Sequence, residues 1–403
     1  MLCYVIAYLD RVNLGFAKLR LLSDLGFSES VYGIGAGVFF AGYIVFGVPA
    51  NLLLHRIGAR LCITLIMVTW GVASGLMAFV ETTWQFFLCR FLLGAAEAGF
   101  YPGVILYLTS WFPRTRRAVA MSSFQSAIPL AGVLGGPVSG WILDHLNDHQ
   151  SLRGWQWLFL LEASPAVVIS VVVWFYLANS AQDARWLSPE QKEILRVNIA
   201  RESLSGEPSG ATRVFIDPRI WALSALTFAL IMGLYTVGFW MPTLLKEAGS
   251  LSLSEVGYLS VIPNLVPLLA MYLFARSSDR NRERRRHVAL AASLGALGLF
   301  ASVFFSHSVP LALIGLSLAQ SGIMSALPLQ WTFLTAFVRA PAVPLAIALV
   351  NSIASLGGIV SPILIGWLKD ETLRLDVGIY VVAACVAAAA AIALCFDPRL
   401  VNK

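Results

Sequence analysis

Residues 84–108 read WQFFLCRFLLGAAEAGFYPGVILYL, a run in which only Arg90 and Glu97 carry charge. It is long enough to cross a bilayer, which takes about 20 mostly apolar residues in a helix. Residues 1–17, MLCYVIAYLDRVNLGFA, repeat the pattern with the adjacent pair Asp10 and Arg11. A charge near the centre of the hydrocarbon costs roughly 2.5–3.5 kcal/mol or more, so ionisable residues inside a span ordinarily face a bundle interior and act there. Two carboxylates and two arginines at comparable depth therefore point to a polar cavity, and to proton-linked movement of an anionic solute.

The whole chain fits that setting. Of its 403 residues 58% are hydrophobic and 12% charged, with a mean hydropathy of +0.77. A soluble domain carries about 25% charged residues, so this chain belongs in a lipid bilayer. The net charge of +6 does not imply a nucleic-acid partner, because the basic residues sit in short loops between spans, where they set topology. Cys3, Cys62, Cys89, Cys385 and Cys395 fall in or beside apolar segments, which argues against a disulfide framework or a zinc site. No metal and no cofactor is expected, a proton being the coupling ion. The first stretch carries charges and lacks a cleavage site, so it is not a signal peptide. It begins at residue 1 without flanking polar residues, which suggests a longer native N-terminus.

Twelve spans are expected, the first near 1–20 and the last near 376–396. Loops after even-numbered spans hold Arg56 and Arg60, then Arg114, Arg116 and Arg117, a group from Arg185 to Arg219, and a group from Arg276 to Arg286. The other side has few: Lys18, Arg20, Arg153, Lys246, Lys369 and Arg374. Both termini are thus expected in the cytoplasm, with the protein in the plasma (inner) membrane. The longest polar segment divides the spans six and six, giving an N-terminal bundle over 1–178, a linker over 179–218 and a C-terminal bundle over 219–403. Inside the linker, Ser188, Pro189 and Glu190 have helix-start chemistry, predicting a short surface helix.

The two halves share a signature. The fifth span ends Gly140-Trp141-Ile142-Leu143-Asp144 and the eleventh Gly366-Trp367-Leu368-Lys369-Asp370, equivalent positions at the same edge. Six-plus-six duplication with a site between the halves is a common plan for secondary transporters. The expected fold is an all-α membrane protein, with twelve transmembrane helices in two pseudo-symmetric six-helix bundles.

Within the apolar segments, Arg90 and Glu97 lie two helical turns apart and share a face, whereas Asp10 and Arg11 splay by about 100°. One of that adjacent pair can face the cavity while the other reaches a neighbouring helix. Asp10 is the better candidate for coupling, ahead of Arg11 as a direct ligand. Tyr4, Tyr8, Tyr43, Gln125 and Tyr235 either face the cavity or pack inside the bundle. Asn351 needs a partner for its amide in an apolar helix. Glu162, near the outer end of the sixth span, reads as an interhelical hydrogen-bonding group. Gly132, Gly136, Pro137 and Gly140 permit close helix packing, and they also approach a pattern associated with antiport.

YVIAYLDRVNLGFA, RFLLGAAEAGFYPG, FWMPTLLKEAG with ARSSDRNRERRR, and ALVNSIASLGGIVSPILIGWLKD together resemble the anion:cation symporter family of the major facilitator superfamily, over nearly the whole chain. The resemblance implies import of an organic anion such as tartrate, phthalate or a sugar acid, usually with protons. It implies Asp10 and Glu97 as proton carriers, Arg11 and Arg90 as coupling or substrate-binding residues, and Asn351 as a substrate contact. Asp279, Arg280 and Arg284 resemble the second-half copy of the superfamily's gating motif. In the first-half copy Arg56, Gly58 and Arg60 remain, while Asn51 and His55 depart from it. Ile128 and Pro129 stand where sugar-acid members are polar, which favours a tartrate-like or aromatic carboxylate. The implied partners are a small organic anion, protons and the lipid bilayer, with the protein a monomer. Antiport of an anion or drug is the alternative mode. A membrane sensor would need a signalling domain, and the loops contain none. No nucleophile or metal cluster marks an enzyme, and no GxxxxGK[ST] loop marks an ATP-driven pump.

Overall fold

The computed structural model describes residues 1–112, 121, 123–179, 181–184, 186–193, 211–338 and 342–402. The chain folds as long helices: α1 (Leu2–Leu25), α2 (Glu29–Ile57), α3 (Ala59–Leu76), α4 (Thr83–Glu97), α5 (Phe100–Trp111), α6 (Ala127–His145) and α7 (Gly154–Tyr176) in the first half. The second half holds α8 (Pro218–Ala248), α9 (Leu253–Leu259), α10 (Val261–Asn281), α11 (Arg285–Phe304), α12 (Val309–Phe337), α13 (Val343–Thr372) and α14 (Leu375–Cys395). With α4–α5 and α9–α10 each counted as one interrupted span, these make twelve in two six-span bundles.

Among the described residues ten helical stretches are long and apolar enough to cross a membrane. The two spans outside that count are broken up by charge or by a gap in the helix. α1 contains Asp10, Arg11 and Lys18, and the fourth span is interrupted at Ala98 and Gly99 between α4 and α5. Local chemistry sets the boundaries. Ser28 caps α2 by accepting from the Val31 amide at 3.2 Å, and Thr82 with Gln85 forms a capping box on α4. Gly26, at φ +66°, ends α1 in the left-handed conformation that glycine adopts without a steric penalty. Ser188 accepts from the Gln191 amide at 3.2 Å, as expected of a cap. Residues 189–193 are helical, while 194–210 of the linker, together with Arg114, Arg116 and Arg117, lie outside the described residues.

The halves meet along α2 with α13, α6 with α9 and α10, and α1 with α8. Their closest approach is at the end opposite the basic loops, and there the duplicated signature acts twice. Asp144, at the end of α6, accepts from the Ser254 amide in the first turn of α9 at 2.6 Å. Asp370, near the end of α13, accepts from the Glu29 and Ser30 amides that open α2, at 3.1 and 2.8 Å. Each carboxylate thus satisfies orphan N–H groups at a helix start in the other half and faces the positive end of its dipole. The glycine of each copy permits the approach. A Cβ on Gly366 would run into the Glu29 carbonyl, and one on Gly140 into the Leu253 carbonyl.

Gly366→Leu is therefore expected to push α13 away from α2 at this end. Tyr32, fully buried there, provides the reporter as Tyr32→Cys. In the Gly366→Leu background its labelling by a membrane-impermeant maleimide should rise by about tenfold or more, equivalent to roughly 1.4 kcal/mol. An unchanged rate would show that this packing does not hold the end shut.

Candidate functional site

In the half of the molecule nearer the basic loops, a cavity of ≈ 160 Å³ lies between the bundles. It is comparable to an apolar cavity of about 150 Å³ that holds benzene. Arg11, Tyr43, Gln125, Tyr235 and Asn351 all line it, as do Tyr4, Tyr8 and Ile128. Five separately predicted polar residues thus converge on one space. The remaining wall is largely apolar, with Phe40, Ile231, Leu234, Leu327 and Trp331.

Arg11 is the cavity's cation. It is ion-paired with Glu97 from α4, and its Nη1 donates to the Tyr235 hydroxyl on α8 at 3.1 Å. Its guanidinium also lies 5.1 Å from the Phe39 ring centre and 5.5 Å from that of Tyr43. One side chain therefore joins α1, α2, α4 and α8. Gln125 donates to the Tyr101 hydroxyl at 3.0 Å. Asn351 presents its side chain to the cavity, while its backbone carbonyl accepts from Ser355 at 2.8 Å.

The adjacent residue points elsewhere. Asp10 is buried against α3, accepting from Trp70 Nε1 at 2.7 Å and Ser74 Oγ at 3.0 Å, and it does not line the cavity. Of the adjacent pair, the direct contact with the cavity belongs to Arg11. Arg90 also stands off it. Completely buried, it donates from Nε to the Gly35 carbonyl at 3.2 Å and sits 5.0 Å from the opposing Phe39 ring. Two guanidiniums therefore share one phenyl ring, with only Arg11 open to a solute. The reason is helix packing. Gly94 lets α4 press so closely on α2 that a Cβ there would overlap the Phe39 carbonyl, and this places Arg90 behind α2.

The gating-motif residues lie at the basic end. Gly58, at φ +82°, separates α2 from α3, the Arg60 amide donates to Asn179 at 2.9 Å, and the Arg60 guanidinium stacks 4.5 Å from Trp174. Arg56 is exposed. In the second-half copy Asp279 is ion-paired with Arg284, which also donates to Ser278 Oγ at 3.0 Å, while Arg280 lines an exposed groove with Arg276. Glu283 accepts from the Arg286 amide at 2.8 Å and from Asn402 at 3.0 Å. Burial works to raise its pKa, but these bonds and those from His287 outweigh it and hold the carboxyl below the ordinary range.

A charged cluster at the opposite end was not anticipated. Lys18 lies 2.7 Å from Glu29 and 3.6 Å from the Trp240 ring centre. Lys369 reaches Glu29 and Glu247, each at 2.9 Å. The signal was present in the seven-residue spacing from Arg11 to Lys18, which puts both on one face of α1. Gly132, Gly136 and Gly140 of α6 lie against the second half. Gly136 and Gly140 meet Gly257 and Leu253 of α9, across the interface between the halves.

A family model described as Major Facilitator Superfamily matches residues 1–362 and 247–402. A protein of Pseudomonas putida whose name proposes metabolite transport, NicT, is 41% identical over 403 residues, 100% of this chain and 92% of that protein. A protein of Agrobacterium vitis whose name proposes a tartrate transporter is 46% identical over 396 residues, 98% of this chain and 91% of that one. Among solved structures, an inward-facing, occupied bacterial homologue of the human lysosomal transporter Spinster superposes with a TM-score of 0.76 at 15% identity, covering 97% of this chain and 94% of that one. At that identity the likeness concerns the fold alone.

The Arg11–Glu97 pair is testable through stability. Removing one member of a buried pair strands the other charge and costs about 3–5 kcal/mol, whereas removing both costs less. Thermal unfolding in detergent should show Glu97→Ala destabilised more than the double variant Arg11→Met with Glu97→Ala. Strictly additive losses would mean that the two side chains are not coupled.

Proposed function

The chain belongs to the Major Facilitator Superfamily and is a multi-pass membrane transporter rather than an enzyme, and from that premise we propose that it is a proton-coupled symporter importing a small organic carboxylate by alternating access. In this reading it sits in the inner membrane with both termini in the cytoplasm, so the cavity opens toward the cytoplasm and the capped end is the outer one. Bundles 1–178 and 219–403 rock against each other, joined by the 179–218 linker.

The observation that carries the proposal is Arg11, a cavity-lining guanidinium already paired with a buried carboxylate. Guanidinium is a planar fork that remains charged and matches a carboxylate in two-point contact. An incoming substrate carboxylate competes with Glu97 for it. Glu97, left without its counter-charge in a buried site, then takes up a proton, so that binding anion and binding proton favour each other. Asp10 is the second proton carrier in this scheme, one residue along α1 but held on the α3 side. Tyr235 and Asn351, contributed by the second half, give the substrate polar contacts from the other bundle.

Cavity size and wall chemistry favour a compact or aromatic carboxylate over a polyhydroxylated one. Hydroxyls left unpaired against Ile128, Ile231 and Leu234 cost roughly 1–3 kcal/mol each. The name of the Agrobacterium vitis relative is in keeping with tartrate.

Uptake of labelled tartrate into proteoliposomes, with and without an imposed pH gradient, tests both parts. Asp10→Asn and Glu97→Gln are each expected to abolish accumulation driven by the gradient, with counterflow exchange retained. Accumulation equal to the parent in both variants would make the carboxylates structural. Arg11→Lys keeps the charge but loses the fork, and should weaken uptake by about tenfold or more, roughly 1.4 kcal/mol. Phthalate-like acids should compete with labelled tartrate more strongly than hexonates. Strong competition by hexonates alone would move the specificity to sugar acids.

A further inference from the structure

Glu162 has no part in the scheme above, yet among the described residues it is the least compensated buried carboxylate of the first bundle. It lies on α7, 4% exposed, and Ser139 of α6 donates to its Oε1 at 2.6 Å. Its Oε2 has no hydrogen-bond partner. Asn13 of α1, 1% exposed, lies within reach of the carboxylate, but neither atom of its amide is hydrogen-bonded.

The other carboxylates buried nearby are better provided for. Glu97 pairs with Arg11, Glu29 with Lys18 and Lys369, and Asp10 receives two donors. The helices packed on α7 are α1, α3 and α6. Of their charged groups Arg11 turns to α4, Lys18 to Glu29, Asp24 to Arg153, and Arg60 to Trp174. Arg20 is exposed at the outer end of α1, and Asp144 and His145 end α6. Asp10, a like charge, is the group that acts on Glu162.

Asn13 and Ser139 also line a cavity of ≈ 30 Å³ between the halves, closed from the second half by Asn264 of α10 and Gln320 of α12. Gln320 Oε1 is a further buried oxygen without a partner. The space exceeds the roughly 10–15 Å³ that one water occupies. Glu162 Oε2, Asn13 Oδ1 and Ser139 Oγ offer oxygen donors only, the set that hard cations select.

We infer that Glu162, Asn13 and Ser139 form a second cation site, distinct from Asp10 and Glu97, which takes a small monovalent cation (a proton or a sodium ion) through the cavity bounded by Asn264 and Gln320. The inference rests on the symport reading and extends it. Because the cavity is walled by α1 and α6 of the first half and by α8, α10 and α12 of the second, closure of the outer end assembles the approach to the site and opening dismantles it. Occupancy of Glu162 is thereby tied to the conformational cycle.

The test uses the full-length protein in proteoliposomes with labelled tartrate, driven either by a pH gradient in sodium-free buffer or by a sodium gradient at matched pH. Glu162→Gln is expected to lower accumulation at least tenfold in one of the two, which identifies the cation, and Glu162→Asp, which keeps the carboxylate, to restore it. Asn13→Leu, close in shape but without amide atoms, should raise the half-saturating concentration of that same cation about tenfold, and it serves as the probe if Glu162→Gln does not fold. A parent that accumulates tartrate in neither gradient defeats the symport reading itself. A parent that accumulates while Glu162→Gln and Asn13→Leu match it in both gradients overturns the cation site alone.

Discussion

A guanidinium enclosed by apolar helices needs a counter-charge, and the Arg11–Glu97 contact is the constraint around which this molecule is arranged. It holds α1 against α4 inside the first bundle, while the bond from Arg11 to Tyr235 carries the same charge to the second bundle. Breaking such a pair without replacement is strongly unfavourable in low dielectric, so whatever displaces Glu97 must itself bring negative charge. In the proposed scheme the site therefore selects for anions before any detail of shape is considered. Phe39 reinforces this, its ring centre lying 5.1 Å from the Arg11 guanidinium and 5.0 Å from that of Arg90, which favours a cation at both positions.

Closure of the opposite end uses a different kind of interaction. Asp144 and Asp370 each accept from backbone N–H groups at a helix start in the other half. These bonds require the two backbones to come within reach, and that is possible only because glycine occupies the approach at Gly140 and Gly366. Lys18, Glu29, Lys369 and Glu247 add a charged network beside one of the two caps. Many modest, geometry-dependent contacts are well suited to an interface that has to open, since none individually dominates its stability.

The polar groups also divide by half. The first bundle contributes the charges, Asp10, Arg11, Arg90, Glu97 and Glu162, whereas the second contributes neutral groups such as Tyr235, Gln320, Gln330 and Asn351. In the proposed transport cycle, rocking one bundle against the other leaves these charges within a single bundle and varies only their access to partners.

Span number, the division into halves and the chemistry of the cavity were legible in residue order, because hydrocarbon penalises every uncompensated charge and so makes each one conspicuous. Asn351 stood out as an amide needing a partner, while Tyr43, Gln125 and Tyr235 read equally as cavity-facing or packed; all four line one cavity. Which neighbour of an adjacent pair faces that cavity was not legible. Asp10 and Arg11 are separated by a fixed angle, but the rotation of α1 that assigns one to α3 and the other to the cavity depends on how closely its neighbours approach. Those approaches are set by contacts between distant segments, Gly94 against Phe39 and Gly15 against Gly238 and Phe239, whose carbonyls a Cβ on Gly15 would meet at 3.0 Å. Arg90 lies off the cavity for the same reason, and Glu162 acquires its meaning only once Asn13 and Ser139 are brought beside it. Residue order determined what chemistry the membrane would have to accommodate; helix packing, through steric limits that no single segment contains, decided where each charge would act.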